Sequence, residues 1–184
     1  MPSFNQTFLE RGQDMVTLFN EQDANTDITG DWVKVRDYER VAVFLCKFGT
    51  EDVDDIGLQL LQGTDATGAG SKALTAIDRT WYKTGTLTSQ TVWTAGTAIT
   101  TTTDFVAFGS AVPTGATRVI ADVNTDALIL QVDFETTKLD ADGGFDWFTV
   151  FIEGDNVNNA VLLTCFVVLM GCRYPQAIPL TSIA

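Results

Sequence analysis

The chain has 184 residues, of which 45% are hydrophobic and 19% charged, a balance that predicts one globular domain with a sizeable core. It holds 11 basic and 24 acidic residues and no histidine, for a net charge of −13. This charge repels nucleic-acid phosphates, so we expect no nucleic-acid partner. The lack of histidine excludes Ser-His-Asp and Cys-His catalysis, and zinc sites that contain histidine.

The first segment, residues 1–14, carries apolar side chains on a stretch too short to build a core of its own. They are Phe4, Phe8 and Leu9. The segment either packs back on its own domain or forms an arm that docks on a neighbouring subunit, and we predict the arm. It lacks a basic start followed by an apolar core, so we expect no secretory signal peptide. A first strand is predicted at 14–20, in "DMVTLFN".

The stretch "VAVFLCKF" (41–48) is apolar on both faces when it is read as a strand. Val41, Val43 and Leu45 fall on one face, and Ala42, Phe44, Cys46 and Phe48 fall on the other. This pattern predicts a central strand that is covered on both sides. One cover is the core of the domain, and the other is a loop, a terminal arm or another chain.

Four further apolar runs predict strands at 56–62, 127–134, 145–152 and 160–170. The last run is too short and too β-branched for a membrane helix, so we expect no membrane partner. The fold class predicted is all-β, with a single jelly-roll-like β-sandwich over residues 15–174. An N-terminal arm (1–14) and a C-terminal tail (175–184) flank it.

Two loops superficially suggest ligand sites. "TDATGAGSKAL" (64–74) lacks the Gly-Lys-Ser/Thr order and the helix of a phosphate-binding loop, so it predicts a hairpin loop. "LDADGGFD" (139–146) lacks the third ligand and the glutamate of a calcium loop, so it predicts a turn before a strand. A carboxylate-based glycosidase needs two acids at a defined separation, and no pair stands out among so many. We therefore predict a non-enzyme with no catalytic, cofactor-binding or metal-binding residues.

Aromatic and sulfur side chains leave two questions open. Trp81, Tyr82 and Trp93 lie in a threonine-rich region, where exposed rings could stack on sugars, although buried packing is the commoner use of such residues. The cysteines are Cys46, Cys165 and Cys172. Because their number is odd and no secretion signal is visible, we predict that all three are unpaired thiols.

The C-terminal tail resembles the N-terminal segment in carrying apolar side chains on a stretch without a core. Pro175 and Pro179 prevent regular structure there and stiffen it. We predict that the two ends form the assembly interface, through Phe4, Phe8, Leu9, Tyr174, Ile178, Leu180 and Ile183.

Four stretches resemble a group of tailed-bacteriophage structural proteins. They are "GDWVKVRDYERVAVFL", "IGLQLLQGTDATGAGSKAL", "LDADGGFDWFTVFIEG" and "VVLMGCRYPQA". The likeness covers residues 30–177, and the acidic turn at 51–55 and the cysteines depart from the group's pattern.

The resemblance implies a virion protein at the capsid surface that is assembled in the cytoplasm of the bacterial host. Such a protein decorates or cements the capsid by binding the lattice of the major capsid protein. Analogy with decoration proteins implies a homo-oligomer, with a trimer favoured. The alternative is a carbohydrate- or host-binding module of a phage tail or fibre.

Overall fold

The computed structural model describes residues 13–24, 26–48, 55–74, 79–85, 94–95, 119–121, 127–153 and 162–172. Within these ranges the regular structure consists of β-strands and one turn of 3-10 helix (Thr136–Lys138), which confirms the all-β prediction. The strands are β1 (Asp14–Asp23), β2 (Ile28–Thr29), β3 (Val33–Lys34), β4 (Tyr38–Phe48), β5 (Asp55–Gly63), β6 (Lys72–Ala73), β7 (Arg79–Gly85), β8 (Thr94–Ala95), β9 (Val119–Ala121), β10 (Ala127–Glu135), β11 (Trp147–Glu153) and β12 (Leu162–Cys172).

The strands form two antiparallel sheets. Sheet 1 has the order β1-β12-β4-β10-β7-β8, and sheet 2 has the order β2-β11-β5-β6, with β3 also paired to β11 and β9 to β5. Many of the pairs are nested along the chain. β1 pairs with β12, β2 and β3 pair with β11, β4 pairs with β10, and β5 pairs with β9.

Strand β4 lies at the centre of sheet 1, between β10 and β12, as its two apolar faces predict. Val41, Val43 and Leu45 are fully buried in the core between the sheets. On the opposite face, the ring of Phe44 stacks on that of Phe166, with 5.0 Å between the centroids and 9° between the planes. The strand is therefore flanked by apolar side chains on both sides, and only one side is the domain core.

The core joins the two sheets through alternating side chains. Phe134 of sheet 1 and Phe148 of sheet 2 are fully buried, and their ring centroids lie 5.0 Å apart. Val150 and Ile152 continue the inward face of β11. Each such side chain contributes about 1.5–3 kcal/mol to folding by leaving water, so this layer fixes the two sheets face to face.

Each predicted strand corresponds to a strand of the structure, with described bounds that differ by up to three residues, and residues 160–161 of the last prediction lie outside the described residues. Within the described residues, the start of β11 is the one end at which the predicted strand extends beyond the observed strand. The prediction began at 145, whereas the strand begins at Trp147. The amide of Phe145 donates to the carbonyl oxygen of Asp140, and the carbonyl oxygen of Asp146 accepts from the amide of Val35. The first bond holds Phe145 in the preceding turn, and the second continues the pairing of β3 with β11 by one position.

Strand β1 lies at an edge of sheet 1, and its backbone is irregular. Its register against β12 shifts twice, and Glu21 has a φ of 50°. The carbonyl oxygen of Leu18 accepts from the amide of Asp31, at 3.0 Å. Such irregularities limit pairing of an edge strand with a foreign strand.

Candidate functional site

Three of the sequence stretches that carry the phage resemblance meet at one corner of the molecule. They contribute Trp32, the loop 64–71 between β5 and β6, and the turn 139–146 before β11. The antiparallel pairing of β5 with β11 brings the last two together, because it sets Gly63 opposite Trp147. We call this region the loop corner.

The indole of Trp32 packs against backbone that has no side chain. A Cβ atom at Gly63 would lie 2.7 Å from Cζ3 of Trp32, and one at Gly68 would overlap the same indole. Gly68 also has a φ of 75°, in the left-handed region that favours glycine. Both glycines are therefore required for the loop to close over Trp32.

The carboxylate of Asp65 holds the loop in shape. Its Oδ1 atom accepts hydrogen bonds from the amide and the hydroxyl of Thr67, each at 2.8 Å, and from the amide of Ala69 at 3.1 Å. These bonds lower the pKa of Asp65 below its ordinary value, and the bond from the amide of Ala69 has the largest effect. The loop is thus a compact, hydrogen-bonded turn that joins β5 to β6, which confirms the predicted hairpin loop.

Lys72 links the loop to the turn before β11. Its Nζ atom lies 2.5 Å from Oδ2 of Asp140 and 4.1 Å from the centre of the Phe145 ring. The amide of Gly143 donates to Oδ1 of Asp140, and the backbone amide of Asp140 donates to Oε1 of Gln62. The Lys72 ammonium, followed by the Gly143 amide, lowers the pKa of Asp140. The stretch 139–146 is a turn before a strand, as predicted.

The hydrogen bonds and the ion pair of the loop corner fix the position of its two exposed turns. The carboxylates of Asp65 and Asp140 are occupied by internal partners, so the corner does not present them as free acids. Residues 64–67 and 141–144 are exposed and consist of threonine, alanine, glycine and aspartate. Over the described ranges, no group of three or more histidine, cysteine, aspartate or glutamate residues is arranged to hold a metal ion.

A second candidate surface is the outer face of sheet 1, the face that points away from the core. Side chains alternate along a strand, so the residues between the buried Leu163, Cys165 and Val167 of β12 point outward. The outer face carries Met15 and Thr17 of β1, Arg40, Ala42, Phe44 and Cys46 of β4, Ile129, Gln131, Asp133 and Glu135 of β10, and Leu162, Thr164, Phe166, Val168 and Met170 of β12. Met15 and Leu162, exposed to 61% and 43%, are the exposed large hydrophobic side chains of the described part of the chain. This face is therefore apolar along β12, carries polar and charged side chains on β4 and β10, and is partly open to water.

The two segments predicted to carry assembly adjoin neighbouring strands. β1 and β12 pair with Asp14 opposite Leu169, and β12 ends at Cys172 opposite Tyr38. Residues 1–12 lead into β1 and residues 173–184 follow β12. The two segments therefore join sheet 1 side by side at the same end.

The predicted site residues themselves lie mainly outside the described residues. This applies to Phe4, Phe8, Leu9, Trp93, Tyr174, Ile178, Leu180 and Ile183. In the backbone of β7, Trp81 is paired with Gln131 and Tyr82 with Leu130, which places them at adjacent positions of sheet 1 next to β10.

Of the three predicted unpaired thiols, two belong to described side chains. Cys46 and Cys165 are buried and form no disulfide. Burial raises the pKa of both thiols, and for Cys165 the neighbouring Cys46 adds to the effect. Neither thiol is an activated nucleophile, because a nucleophilic cysteine needs a lowered pKa.

In the part of the chain that the structure describes, no helix has the length and apolar character needed to cross a membrane. Comparison with known proteins finds no matching family model, no matching curated protein and no matching solved structure.

Proposed function

We propose that this chain is a non-enzymatic structural protein of a bacteriophage virion, located at the capsid surface, where it binds the lattice of the major capsid protein. The observation that carries the proposal is the side-by-side position of β1 and β12, opposite each other at Asp14 and Leu169. Because of this pairing, two segments whose sequences carry apolar side chains are attached at the same end of the domain. Together they would form a single tether.

The nested strand pairs support a jelly-roll fold for the domain. In a jelly roll, a ribbon of antiparallel pairs is wound so that successive pairs alternate between two sheets. The pairs β1/β12 and β4/β10 belong to sheet 1, and the pairs β2–β3/β11 and β5/β9 belong to sheet 2. Jelly rolls occur in viral capsid proteins and in lectins, the two settings between which the sequence left a choice.

Charge and copy number also fit a decoration role. A subunit with a net charge of −13 is attracted to basic patches on a protein shell, and the attraction weakens as salt screens it. Many copies on one lattice gain from avidity, so each contact can be modest. Homo-oligomerisation forms part of the proposal for the same reason.

Deletion of residues 1–12 or 175–184 tests the proposal. Both deletions leave β1 and β12 whole, so we expect the melting temperature to stay nearly unchanged while binding to purified capsid shells is lost. A chain of the same length with Phe4, Phe8 and Leu9 replaced by serine is the matched control, and we expect it to fail in the same way as the N-terminal deletion. Truncated proteins that bind shells normally, or that unfold, would contradict the proposed role of these segments.

The number of copies in purified virions separates the two settings. A protein that decorates the capsid approaches the major capsid protein in abundance, whereas a module of a tail or fibre is present in few copies. Quantitative mass spectrometry of virions measures this ratio. A ratio typical of tail components would replace decoration by the carbohydrate- or host-binding alternative.

A further inference from the structure

The outward side chains of β12 form a pattern that matches itself when it is reversed. They are Leu162, Thr164, Phe166, Val168 and Met170, in order along the strand. A half-turn about Phe166 exchanges Leu162 with Met170, two large apolar side chains, and Thr164 with Val168, two side chains of similar shape. Phe166 then meets its own copy.

We propose that the outer face of sheet 1 is a self-association surface on which a second copy of this chain packs face to face. A twofold interface requires that a residue which contacts another across the axis is contacted by it in return. An axis that runs across the strands at Phe166 meets this requirement along β12. The pairing is twofold, unlike the trimer implied by analogy with decoration proteins, and it does not depend on the proposed function.

The distribution of charge favours a second copy as the occupant. The described charged side chains of β4 and β10 on this face lie toward one end of it, with Arg40 and Glu135 paired at 3.8 Å and Asp133 buried opposite Ala42. Its centre holds the stacked Phe44 and Phe166 between Gln131 and Thr17, and these four side chains carry no charge. Two copies that each carry −13 can meet at such a centre without setting like charges against each other there, whereas a basic partner would find no carboxylate in it.

The size of the face suits a modest but specific interface. The outward side chains of β12 span nine positions, and β1, β12, β4 and β10 lie next to one another. With about 3.3 Å per residue and about 4.8 Å between strands, the face measures roughly 30 Å by 19 Å. Two copies would bury about 1,100 Å², just below the range of stable protein interfaces and typical of weak, reversible ones. We therefore expect a dissociation constant in the micromolar range.

Sedimentation velocity with charge substitutions at Leu162 and Met170 tests the proposal on the isolated full chain. The parent protein should sediment as a dimer of the 20.0 kDa chain at high concentration and dissociate on dilution. Leu162→Lys and Met170→Glu should each raise the dissociation constant by at least about tenfold, since each sets a charge against an apolar side chain of the other copy. The double variant should recover most of the affinity. The two positions are about 27 Å apart on one strand, so the two new charges cannot pair with each other within one copy.

Ala66→Lys and Ala141→Glu are the matched controls, because they add the same charges to exposed turns of the loop corner. They should leave the dissociation constant unchanged, and melting temperatures should show that all variants fold. A parent protein that stays monomeric at every concentration would overturn the proposal. So would a double variant that remains as weak as the single ones, or controls that weaken association equally. If removal of residues 1–12 turns a monomer into a dimer, then that segment covers the face in its own chain, and the second copy is not its native occupant.

Discussion

Replacement of Gly68 by alanine measures how closely the loop after β5 is fitted to Trp32. Gly68 has a φ of 75°, and an L-residue in the left-handed region loses about 1–2 kcal/mol relative to its ordinary conformation. The new methyl group would also overlap Cε2, Cζ2 and Nε1 of Trp32. Overpacking of this kind costs about 1–3 kcal/mol. We therefore expect the free energy of unfolding to fall by about 2–5 kcal/mol.

Gly70 supplies the matched control for this experiment. Its φ of 62° is also left-handed, but a Cβ atom there meets nothing within 4 Å. Gly70→Ala should therefore show only the backbone part of the effect, about 1–2 kcal/mol. Replacing glycine by alanine also lowers the conformational entropy of the unfolded chain. This effect on the free energy of unfolding is the same in both variants and cancels in the comparison. The difference, about 1–3 kcal/mol, isolates the contact with Trp32.

Denaturant unfolding followed by fluorescence measures both free energies, and thermal melting gives a second reading at about 2–4 °C for each kcal/mol. In a background with Trp32→Ala, the excess cost of Gly68→Ala over Gly70→Ala should disappear, since the overlapping ring is gone. Equal costs for the two glycine variants in the parent chain would refute the close fit between the loop and Trp32.

Two further predictions concern titratable groups. Because the folded-state pKa of Asp65 lies below its ordinary value, its carboxylate stabilises the fold at neutral pH, and this contribution is lost as the pH falls from about 4 through the folded-state pKa. Asp65→Asn should therefore be less stable than the parent at neutral pH, with a gap that narrows in acid, while Asp142→Asn in the exposed turn serves as control; a gap that is constant with pH would contradict the assignment. Cys46 and Cys165 are buried thiols with raised pKa values, so iodoacetamide at about pH 8 should modify them only after unfolding in urea. Rapid modification of the folded protein would contradict the burial of these thiols. A disulfide detected by mass spectrometry without reduction would contradict their unpaired state.

The long strands could be predicted from sequence because each carries a regular pattern over many residues. β4, β5, β10 and β12 were predicted from alternating or continuous apolar runs, and they form in the structure. The short strands β2, β3 and β6 were not predicted, since two residues carry no period. They form because β5 and β11 offer free hydrogen-bonding edges to whatever segment passes beside them.

The contacts within the loop corner could not be predicted from sequence patterns. The loop 64–71 and the turn 139–146 were predicted separately, from their own glycine and aspartate residues. Their contact through Lys72 and Asp140 depends on the pairing of β5 with β11, which joins residues far apart in the chain. Trp32 carried no predicted role, and its only signal was that it precedes a strand in one of the stretches with a phage resemblance. The predicted interface residues at the two ends stay predictions.

The nested pairing of strands determines how long each strand must wait for its partner during synthesis at the ribosome. Val43 of β4 has its neighbours in Val132 and Val167, and Asp14 is paired with Leu169. Closing such long loops costs conformational entropy before any of these contacts forms. Folds of this kind therefore assemble slowly. The central strand of sheet 1 therefore leaves the ribosome long before either of its partners exists. Until β10 emerges, the nascent chain carries β4 as a hydrophobic segment without either of its partners in sheet 1, and in that period a chaperone would protect it from aggregation.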